Sequence, residues 1–459
     1  MDNIERRTRL IVSFLWFSVF FSPLLDLRIF LRFDQIFSIL FFALLIRKGW
    51  ALRLTPCAKK FIVFILLIIV TATLNALTAS FIGGRMNFYF VFNWPLKIAL
   101  NVIIGLLLID YTDPERIGSL EVTLRILWVC LFLIGLIGIF QVIEFLGKIP
   151  NIGINKYLSM FFPYHGDFSE VFLYKTQGLL LKTGGAGRAT STFDGHPILF
   201  GDFLTFVLIF LLPFVRKYRY LLIYLIPVLS LFLTLSRGSI AAWILGLFVY
   251  LCLIFAYYHV LENQNSVSRA YLRKRFFKFT FHIFLLVVFL FVIIYSSPLG
   301  IADPIRVRLV SSLETLQGSG VPEGRITNIW PNALAEMVAA GPVSWWIGVP
   351  GGYEGSTDSQ YLWLLVNTGI VGILLFWGLH LYLVRLGWKF ALEMSKINRA
   401  NSLFGLSFIA AVISLLFIYV FHPALQGDRL LTTLIVVSIL MENSITKIGW
   451  SNQRKLTKS

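Results

Sequence analysis

The sequence predicts an all-α integral membrane protein, and three observations lead to that fold class. Hydrophobic residues make up 58% of the 459 residues and charged residues only 14%, whereas soluble domains are about 45–50% apolar. The mean hydropathy is +0.80, and apolar runs of about twenty residues, enough to cross a bilayer as a helix, fill most of the chain. Basic residues cluster in alternate short connections between these runs, as they do in proteins that cross the membrane repeatedly.

About twelve transmembrane helices can be drawn from the apolar runs. The second and the twelfth are short for a membrane span. The predicted helices are Leu10–Leu25, Phe33–Ile46, Phe61–Phe81, Trp94–Ile109, Leu124–Leu146, Pro197–Phe214, Tyr220–Leu235, Ile240–Tyr258, Phe279–Tyr295, Tyr361–Val384, Leu403–Phe421 and Leu430–Met441.

The distribution of lysine and arginine predicts which connections face the cytoplasm. Both termini and the connections around residues 47, 216, 273 and 385 are rich in basic residues. The opposite short connections hold only Arg28, Arg32, Arg85, Arg237 and Arg429. We therefore expect both termini in the cytoplasm. The same bias accounts for the net charge of +17, so we expect no nucleic-acid partner.

This orientation places two large polar segments on the outer face. The expected order is membrane helices 1–5 (residues 1–146), a first large outer loop (147–196), membrane helices 6–9 (197–295), a second large outer loop with an amphipathic helix (296–360), membrane helices 10–12 (361–445) and a basic cytoplasmic tail (446–459). A chain that is otherwise embedded in lipid needs a reason to keep such polar excursions. We therefore expect its chemistry on the outer face.

The end of the first outer loop holds a glycine-rich stretch, residues 184–187, followed by Arg188, His196 and Pro197. Glycines ahead of a helix that begins with proline are typical of a backbone that binds an anion at a helix N-terminus. A flexible connector followed by an ordinary helix would give the same pattern. Arg188 and His196 are the side chains that could bind or act on a substrate here.

A tight turn, Thr234-Leu235-Ser236-Arg237-Gly238, joins the seventh and eighth predicted helices. An arginine near the hydrocarbon costs a few kcal/mol unless it is paired, and such residues mark function by default. A side chain that snorkels to the interface is the alternative. Because the turn is too short for Arg237 to reach far into water, we favour the functional interpretation.

The second outer loop contributes Arg325, whose side-chain type suits bidentate binding of phosphate oxygens. A helix along the membrane face is expected over Ile326–Ala340, where apolar residues recur at helical spacing. At the exit of the loop, Asp358, with Glu354 just before it, could act as a general base or could cap the next helix. His422, in the last outer loop, is interpreted as an interfacial side chain.

No spacing in the sequence indicates a metal or a cofactor. The sequence has no HExxH, Walker A or Asp-x-Asp motif, and Cys57, Cys130 and Cys252 lack the spacing of a metal site or of a disulfide framework. Arginines that face outward can neutralise a diphosphate leaving group without a metal. We therefore expect a metal-independent site with no cofactor.

Taken together, the Arg188-to-Pro197 stretch, the turn at residues 234–238 and the sequence from Arg325 through Asp358 to Gly372 resemble the O-antigen polymerase and O-antigen ligase superfamily. The resemblance covers residues 184–372 and implies an integral-membrane glycosyltransferase of the GT-C type. Such enzymes use saccharides linked to undecaprenyl diphosphate on the periplasmic face. It also implies that Arg237 and Arg325 contact the donor diphosphate, and we expect Arg188 to assist them.

One departure from the family pattern bears on the activity. The ligase branch usually has His-Asn where this chain has Asp358-Ser359, which favours a polymerase of O-antigen, capsule or exopolysaccharide repeats in the bacterial inner membrane. The catalytic base stays open between Asp358, Glu354 and His196. The expected partners are the lipid-linked donor and acceptor, membrane lipid and a chain-length regulator protein.

Two other functions compete with polymerisation. An O-antigen ligase would transfer finished polysaccharide to a lipid A core or another acceptor. A flippase for lipid-linked saccharides would place charged groups deep inside several spans to line a path. The predicted spans carry almost no charge between their ends, which favours an enzyme over a transporter.

Overall fold

The computed structural model of the protein is an all-α membrane fold. The structure describes residues 16, 24–25, 31–32, 43, 56–81, 96, 99–104, 118–150, 152–154, 189, 197–216, 218–263, 277, 280–281, 284–285, 288, 292, 296, 329–353, 359–396, 399–422 and 428–456. Among them, six helices are long and apolar enough to cross a membrane, and two apolar helices are shorter. The chain is therefore a multi-pass membrane protein.

The described helices follow the chain in a simple order, and one pair of two-residue strands precedes them. The strands β1 (Leu24–Leu25) and β2 (Leu31–Arg32) pair antiparallel. A 3-10 helix over Leu212–Arg216 follows the third helix. The helices are α1 (Pro56–Phe81), α2 (Gly118–Phe145), α3 (Pro197–Phe210), α4 (Tyr218–Leu233), α5 (Arg237–Asn263), α6 (Trp330–Ala339), α7 (Ser344–Ile347), α8 (Gln360–Ser395), α9 (Arg399–Phe421) and α10 (Asp428–Leu456).

Several helix boundaries differ from those predicted. Leu24 and Leu25 form a strand rather than the end of the first span, and the preceding residue is a proline, a type that disrupts helix interiors. The sequence places Arg237 in a turn, whereas the structure makes it the first residue of α5. The last helix, α10, runs well beyond the predicted Leu430–Met441, because polar residues continue it past the apolar run.

Four predicted spans are described only at scattered residues. They are Leu10–Leu25, Phe33–Ile46, Trp94–Ile109 and Phe279–Tyr295, and the rest of each lies outside the described residues.

Helix α9 lies in the middle of the described bundle, packed against α3, α5 and α8. Phenylalanine rings fill the contact with α3: Phe206 meets Phe408 with ring centroids 6.4 Å apart, and Phe210 meets Phe404 at 6.2 Å, both edge to face. Such ring pairs add about 0.5–1.5 kcal/mol beyond the burial of their area. In lipid, helices associate through close packing of this kind, because burying apolar surface brings little gain there.

Helix α8 is broken at Gly369, whereas the sequence predicts an uninterrupted helix over Tyr361–Val384. The backbone there has φ 64° and ψ −164°, and α7 lies directly against it. A Cβ on Gly369 would stand 2.2 Å from the carbonyl carbon of Trp346, and a Cβ on Gly348 would stand 2.4 Å from that of Asn367. Only glycine allows both this backbone conformation and this approach.

The break leaves carbonyl groups of α8 without helical partners, and neighbouring segments supply the donors. The backbone N–H of Val349 donates to the carbonyl of Val366 at 2.7 Å, and Nδ2 of Asn75 in α1 donates to the carbonyl of Asn367 at 2.7 Å. The Oδ1 atom of Asn367 accepts from the backbone N–H of Tyr353 at 2.9 Å. Irregular backbone at membrane depth is tolerated when protein satisfies it in this way.

The segment before α8 packs its helix α6 onto the same region. Ala333 and Met337 are buried in a small cluster with Val349 and Val366. Tyr353 packs against this cluster, and partial burial, with a smaller contribution from the Glu336 carboxylate, raises its pKa. The Tyr353 phenol therefore stays protonated at neutral pH.

Hydrogen bonds at the far end of the bundle fix the relative directions of α1, α8 and α10. The Tyr382 hydroxyl of α8 donates to Oε1 of Glu442 in α10 at 2.7 Å, and the backbone N–H of Cys57 at the start of α1 also donates to Glu442. The Lys60 ammonium lies 3.4 Å from the centroid of the Tyr382 ring, a cation–π contact. The start of α1 therefore meets the later parts of α8 and α10.

Candidate functional site

Buried polar side chains gather at one end of the bundle, where α3, α5, α8 and α10 begin and α9 ends; we call it the site end. Asp202 lies in the second turn of α3 and is fully buried. Ser236 and Ser239, around the start of α5, and His422, directly after α9, are buried as well. An ionisable group enclosed among apolar helices is costly and indicates a functional site by default.

Asp202 is the centre of a hydrogen-bonded network that joins α3, α5 and the end of α9. Its Oδ1 atom accepts from the Ser239 hydroxyl at 2.6 Å and lies 3.0 Å from Nδ1 of His422. Because the Ser239 hydroxyl donates to Asp202, it accepts from the Ser236 hydroxyl at 2.7 Å. Within the described part of the chain, Oδ2 of Asp202 has no hydrogen-bond partner. Buried polar atoms are rarely left in this state, so the second oxygen requires an explanation.

The geometry assigns different roles to the two ring nitrogens of His422. Nδ1 faces Oδ1 of Asp202, whereas Nε2 faces Gly238. A neutral imidazole that donates from Nδ1 to a carboxylate keeps its lone pair on Nε2. The ring lies directly on Gly238, where a Cβ would stand 2.9 Å from Cε1 and 3.4 Å from Nε2. A larger residue at position 238 would therefore displace the imidazole.

Arg237 is exposed and lies next to Gly238, at the first position of α5. The turn that presents it is fixed by Thr234, whose hydroxyl donates to the Leu231 carbonyl at 2.7 Å and accepts from the Ser236 N–H at 3.2 Å. Leu235 adopts a positive φ of 54°, which costs a residue with a side chain about 1–2 kcal/mol. Strain of this kind is often found at functional sites.

Two further contacts bring other segments to the site end. The backbone N–H of Ala189, the residue after Arg188, donates to the carbonyl of Leu233 at 2.9 Å. The Ser359 hydroxyl, at the start of α8, donates to the carbonyl of Tyr419 near the end of α9 at 3.2 Å. Ala189, at the end of the first outer loop, and Ser359, at the exit of the second, therefore both lie at the end of the bundle where Asp202 lies.

Ser359, rather than Asp358, caps α8. Its side chain accepts from the backbone N–H of Leu362 at 3.4 Å, and its own backbone is extended, as an N-cap residue requires. The interpretation of Asp358 as the helix cap is therefore wrong. The helix begins at Gln360, so the N-cap falls on Ser359, a residue type as well suited to that position as aspartate.

The structure describes one of the predicted site residues, Arg237. The other five, Asp358, Glu354, His196, Arg325 and Arg188, lie outside the described residues. Their roles stay predictions.

Sequence reasoning missed the buried part of the site. Asp202 is an isolated carboxylate inside the apolar run Pro197–Phe214, and that position alone marks it as unusual. The interpretation of His422 as interfacial is wrong, because the residue is only 5% exposed and bonds to Asp202. No local pattern could have paired these two residues, which are 220 positions apart.

Within the described ranges, no group of three or more His, Cys, Asp or Glu side chains is placed to hold a metal ion. No protein-family model matches the chain, and no curated protein matches it.

Proposed function

We propose that the protein is a metal-independent glycosyltransferase that polymerises oligosaccharide repeats linked to undecaprenyl diphosphate. The product would be an O-antigen, a capsule or an exopolysaccharide, made on the outer face of the bacterial inner membrane. The proposal includes a GT-C-like architecture with about twelve spans, both termini in the cytoplasm, and a lipid-linked repeat as both donor and acceptor. It rests on the sequence resemblance together with the geometry of the site end.

One observation carries the proposal: an exposed arginine, Arg237, stands beside a buried Asp202–His422 pair at one end of the bundle. Among the His, Lys, Arg, Asp and Glu side chains of the described residues, four are buried: Asp202, His380, His422 and Arg429. One-sided placement suits chemistry on a substrate that is presented at the membrane surface. A transport path would need polar groups along its whole length.

In the proposed reaction, a sugar hydroxyl of one lipid-linked repeat attacks the anomeric carbon of the other saccharide. The new carbon–oxygen bond forms as the bond to the diphosphate breaks, and the electron pair of that bond leaves with undecaprenyl diphosphate. Arg237 would stabilise the negative charge on the departing group, with Arg325 and Arg188 beside it. Fixed positive groups aimed at developing charge are a large source of rate enhancement.

Replacing Arg237 tests this function. The parent protein and its variants are reconstituted in bilayers with purified lipid-linked repeats, and chain growth is followed by gel electrophoresis. Arg237→Ala is expected to lower kcat/KM by about 10²–10³-fold, and Arg237→Lys to recover part of the loss, since an ammonium lacks the bidentate fork. Lys396→Ala is the matched control, because Lys396 is exposed, pairs with Glu393 and lies at the opposite end of α8 from the site end. Equal chain growth by Arg237→Ala and the parent would contradict the proposal.

The ligase alternative is separated by deleting the gene in the native host. Loss of a polymerase leaves single repeats on the acceptor. Loss of a ligase leaves long chains on undecaprenyl diphosphate, and loss of a flippase leaves single lipid-linked repeats on the cytoplasmic side. The polymerase is expected to give the first pattern, and either of the other two would contradict it.

A further inference from the structure

We infer that His422, held by Asp202, is the proton acceptor for the attacking sugar hydroxyl. This inference rests on the proposed function and deepens it, because it assigns the base that the sequence leaves open between Asp358, Glu354 and His196. It is carried by the buried network of Asp202, His422, Ser236 and Ser239 and by its position against Arg237.

The contact with Asp202 decides which ring nitrogen of His422 carries the hydrogen. Asp202 contacts Nδ1 at 3.0 Å through Oδ1, so Nδ1 carries the hydrogen and the lone pair lies on Nε2. A carboxylate fixed on the far nitrogen also stabilises the imidazolium that forms when Nε2 takes a proton. The Ser239 hydroxyl, 2.6 Å from the same oxygen, keeps the carboxylate in place. The pair is therefore arranged as a base and the group that orients it.

The position of the His422 ring also suits a base. The His422 ring lies on Gly238, with Nε2 3.4 Å from the position of a Cβ there, and Gly238 follows Arg237 at the start of α5. A diphosphate held by Arg237 would place the anomeric carbon and the incoming hydroxyl beside this helix start. Gly238 has no side chain to separate Nε2 from that space. The same feature explains why the smallest residue occupies position 238.

The proposed reaction forms one bond, breaks one bond and transfers one proton. The acceptor oxygen forms its bond to the anomeric carbon, the bond from that carbon to the diphosphate oxygen breaks, and its electron pair leaves with the diphosphate. The hydroxyl proton moves to Nε2 of His422, which becomes an imidazolium. Release of this proton to water, or to the departing diphosphate, restores the neutral ring. Asp202 touches neither sugar and is a positioning residue.

The test separates loss of the base from loss of structure. His422→Asn keeps a side-chain N–H that can donate to Asp202 but has no nitrogen that can take a proton. In the reconstituted full-length protein, kcat is expected to fall by about 10²–10⁴-fold, while KM for the lipid-linked donor changes by less than about threefold, since Arg237 is intact. Added imidazole is expected to restore part of the kcat of His422→Ala.

Asp202→Asn tests the positioning role. An amide oxygen can still accept from Nδ1, so the ring stays in place, but the imidazolium loses its compensating charge. We expect a fall in kcat without a matching rise in KM. His259→Asn is the control, because His259 is an exposed histidine at the opposite end of α5.

The outcomes are distinguishable. If the parent extends lipid-linked repeats and His422→Asn does so with unchanged kcat, the proposed function stands and the assignment of His422 is overturned. If His422→Ala is inactive and imidazole restores nothing while His422→Asn retains activity, the role of His422 is structural. If the parent itself fails to extend the repeats, the proposed function is overturned and the assignment of His422 with it.

Discussion

The Nδ1 atom of His422 lies 3.0 Å from Oδ1 of Asp202, although 220 positions separate the two residues in the chain. The contact ties the end of α9 to the second turn of α3, and both side chains are almost completely buried. A carboxylate at the position of Asp202 would be costly without a partner, since a buried unpaired charge is among the most costly features of a fold. The stability of the bundle and the arrangement of the site are therefore linked.

Removing one member of this pair should cost more stability than removing both members. His422→Leu leaves the Asp202 carboxylate buried beside the Ser239 hydroxyl alone, and we expect a loss on the order of 3 kcal/mol. Asp202→Leu combined with His422→Leu removes both polar groups and should cost less than His422→Leu. Unfolding of the purified protein in mixed detergent micelles measures each value. A double variant less stable than His422→Leu would mean that the pair is not a coupled unit.

The glycine at the break of α8 should be irreplaceable. Gly369→Ala introduces a Cβ 2.2 Å from the carbonyl carbon of Trp346 and forces alanine into a positive φ, so we expect a loss of at least about 2 kcal/mol. Thermal unfolding and the rate of proteolysis between α6 and α8 would report it. Gly378→Ala is the control on the same helix, since among the described residues nothing beyond its chain neighbours and the adjacent backbone of α8 lies within 4 Å of its added Cβ, and alanine favours helix by about 1 kcal/mol. Equal stability of the two variants would show that α8 can close its break.

The amide of Asn75 should stabilise the break from α1. Asn75→Leu keeps the size of the side chain but leaves the carbonyl of Asn367 without its donor at 2.7 Å, and we expect a cost of about 1–3 kcal/mol. Thr73→Val is the matched control, because the Thr73 hydroxyl is exposed and donates to the carbonyl of Ile69 in its own helix at 2.7 Å. The same unfolding measurement compares them. A cost of Asn75→Leu no greater than that of Thr73→Val would contradict the role of the amide.

The turn that carries α7 should lie within the edge of the hydrocarbon. Arg385 is the first charged residue of α8 after the break. If an apolar span of about twenty residues ends there, Gly369 lies about 6 Å inside the apolar layer. Trp346 packs against Gly369, and the side chains of Val343 and Trp346 are 59% and 60% exposed. Aromatic side chains favour this depth.

Spin labels test this depth in liposomes. The native cysteines are replaced by alanine, and single cysteines at Val343, Trp346 and Lys396 carry the label. Labels at Val343 and Trp346 should collide with dissolved oxygen more than with a water-soluble nickel complex. A label at Lys396, an exposed residue at the polar end of α8, should show the reverse. Preference for the nickel complex at Trp346 would place the turn in water instead.

The sequence predicted the helical membrane fold because a span is recognisable from its own apolar composition, as Leu403–Phe421 is within α9. It singled out Arg237 because an arginine at the edge of an apolar run is conspicuous, and the role of Arg237 stays a prediction. The break at Gly369 was not predicted. An apolar run that contains a glycine indicates a continuous helix unless the segment that packs on it is known. The Asp202–His422 pair was not predicted either, because pairing across α3 and α9 is set by how the helices assemble, which no local pattern records.

Release of undecaprenyl diphosphate during chain growth tests the central proposal most directly. Purified protein in bilayers is given a defined lipid-linked repeat, and the freed lipid diphosphate and the new glycosidic bonds are counted together. One lipid diphosphate should be released for each bond formed. In each of the variants Arg237→Ala and His422→Asn, release and bond formation should slow by the same factor. Bond formation without release, no bond formation by the parent, or unchanged rates in both variants would contradict a glycosyl transfer centred on this end of the bundle.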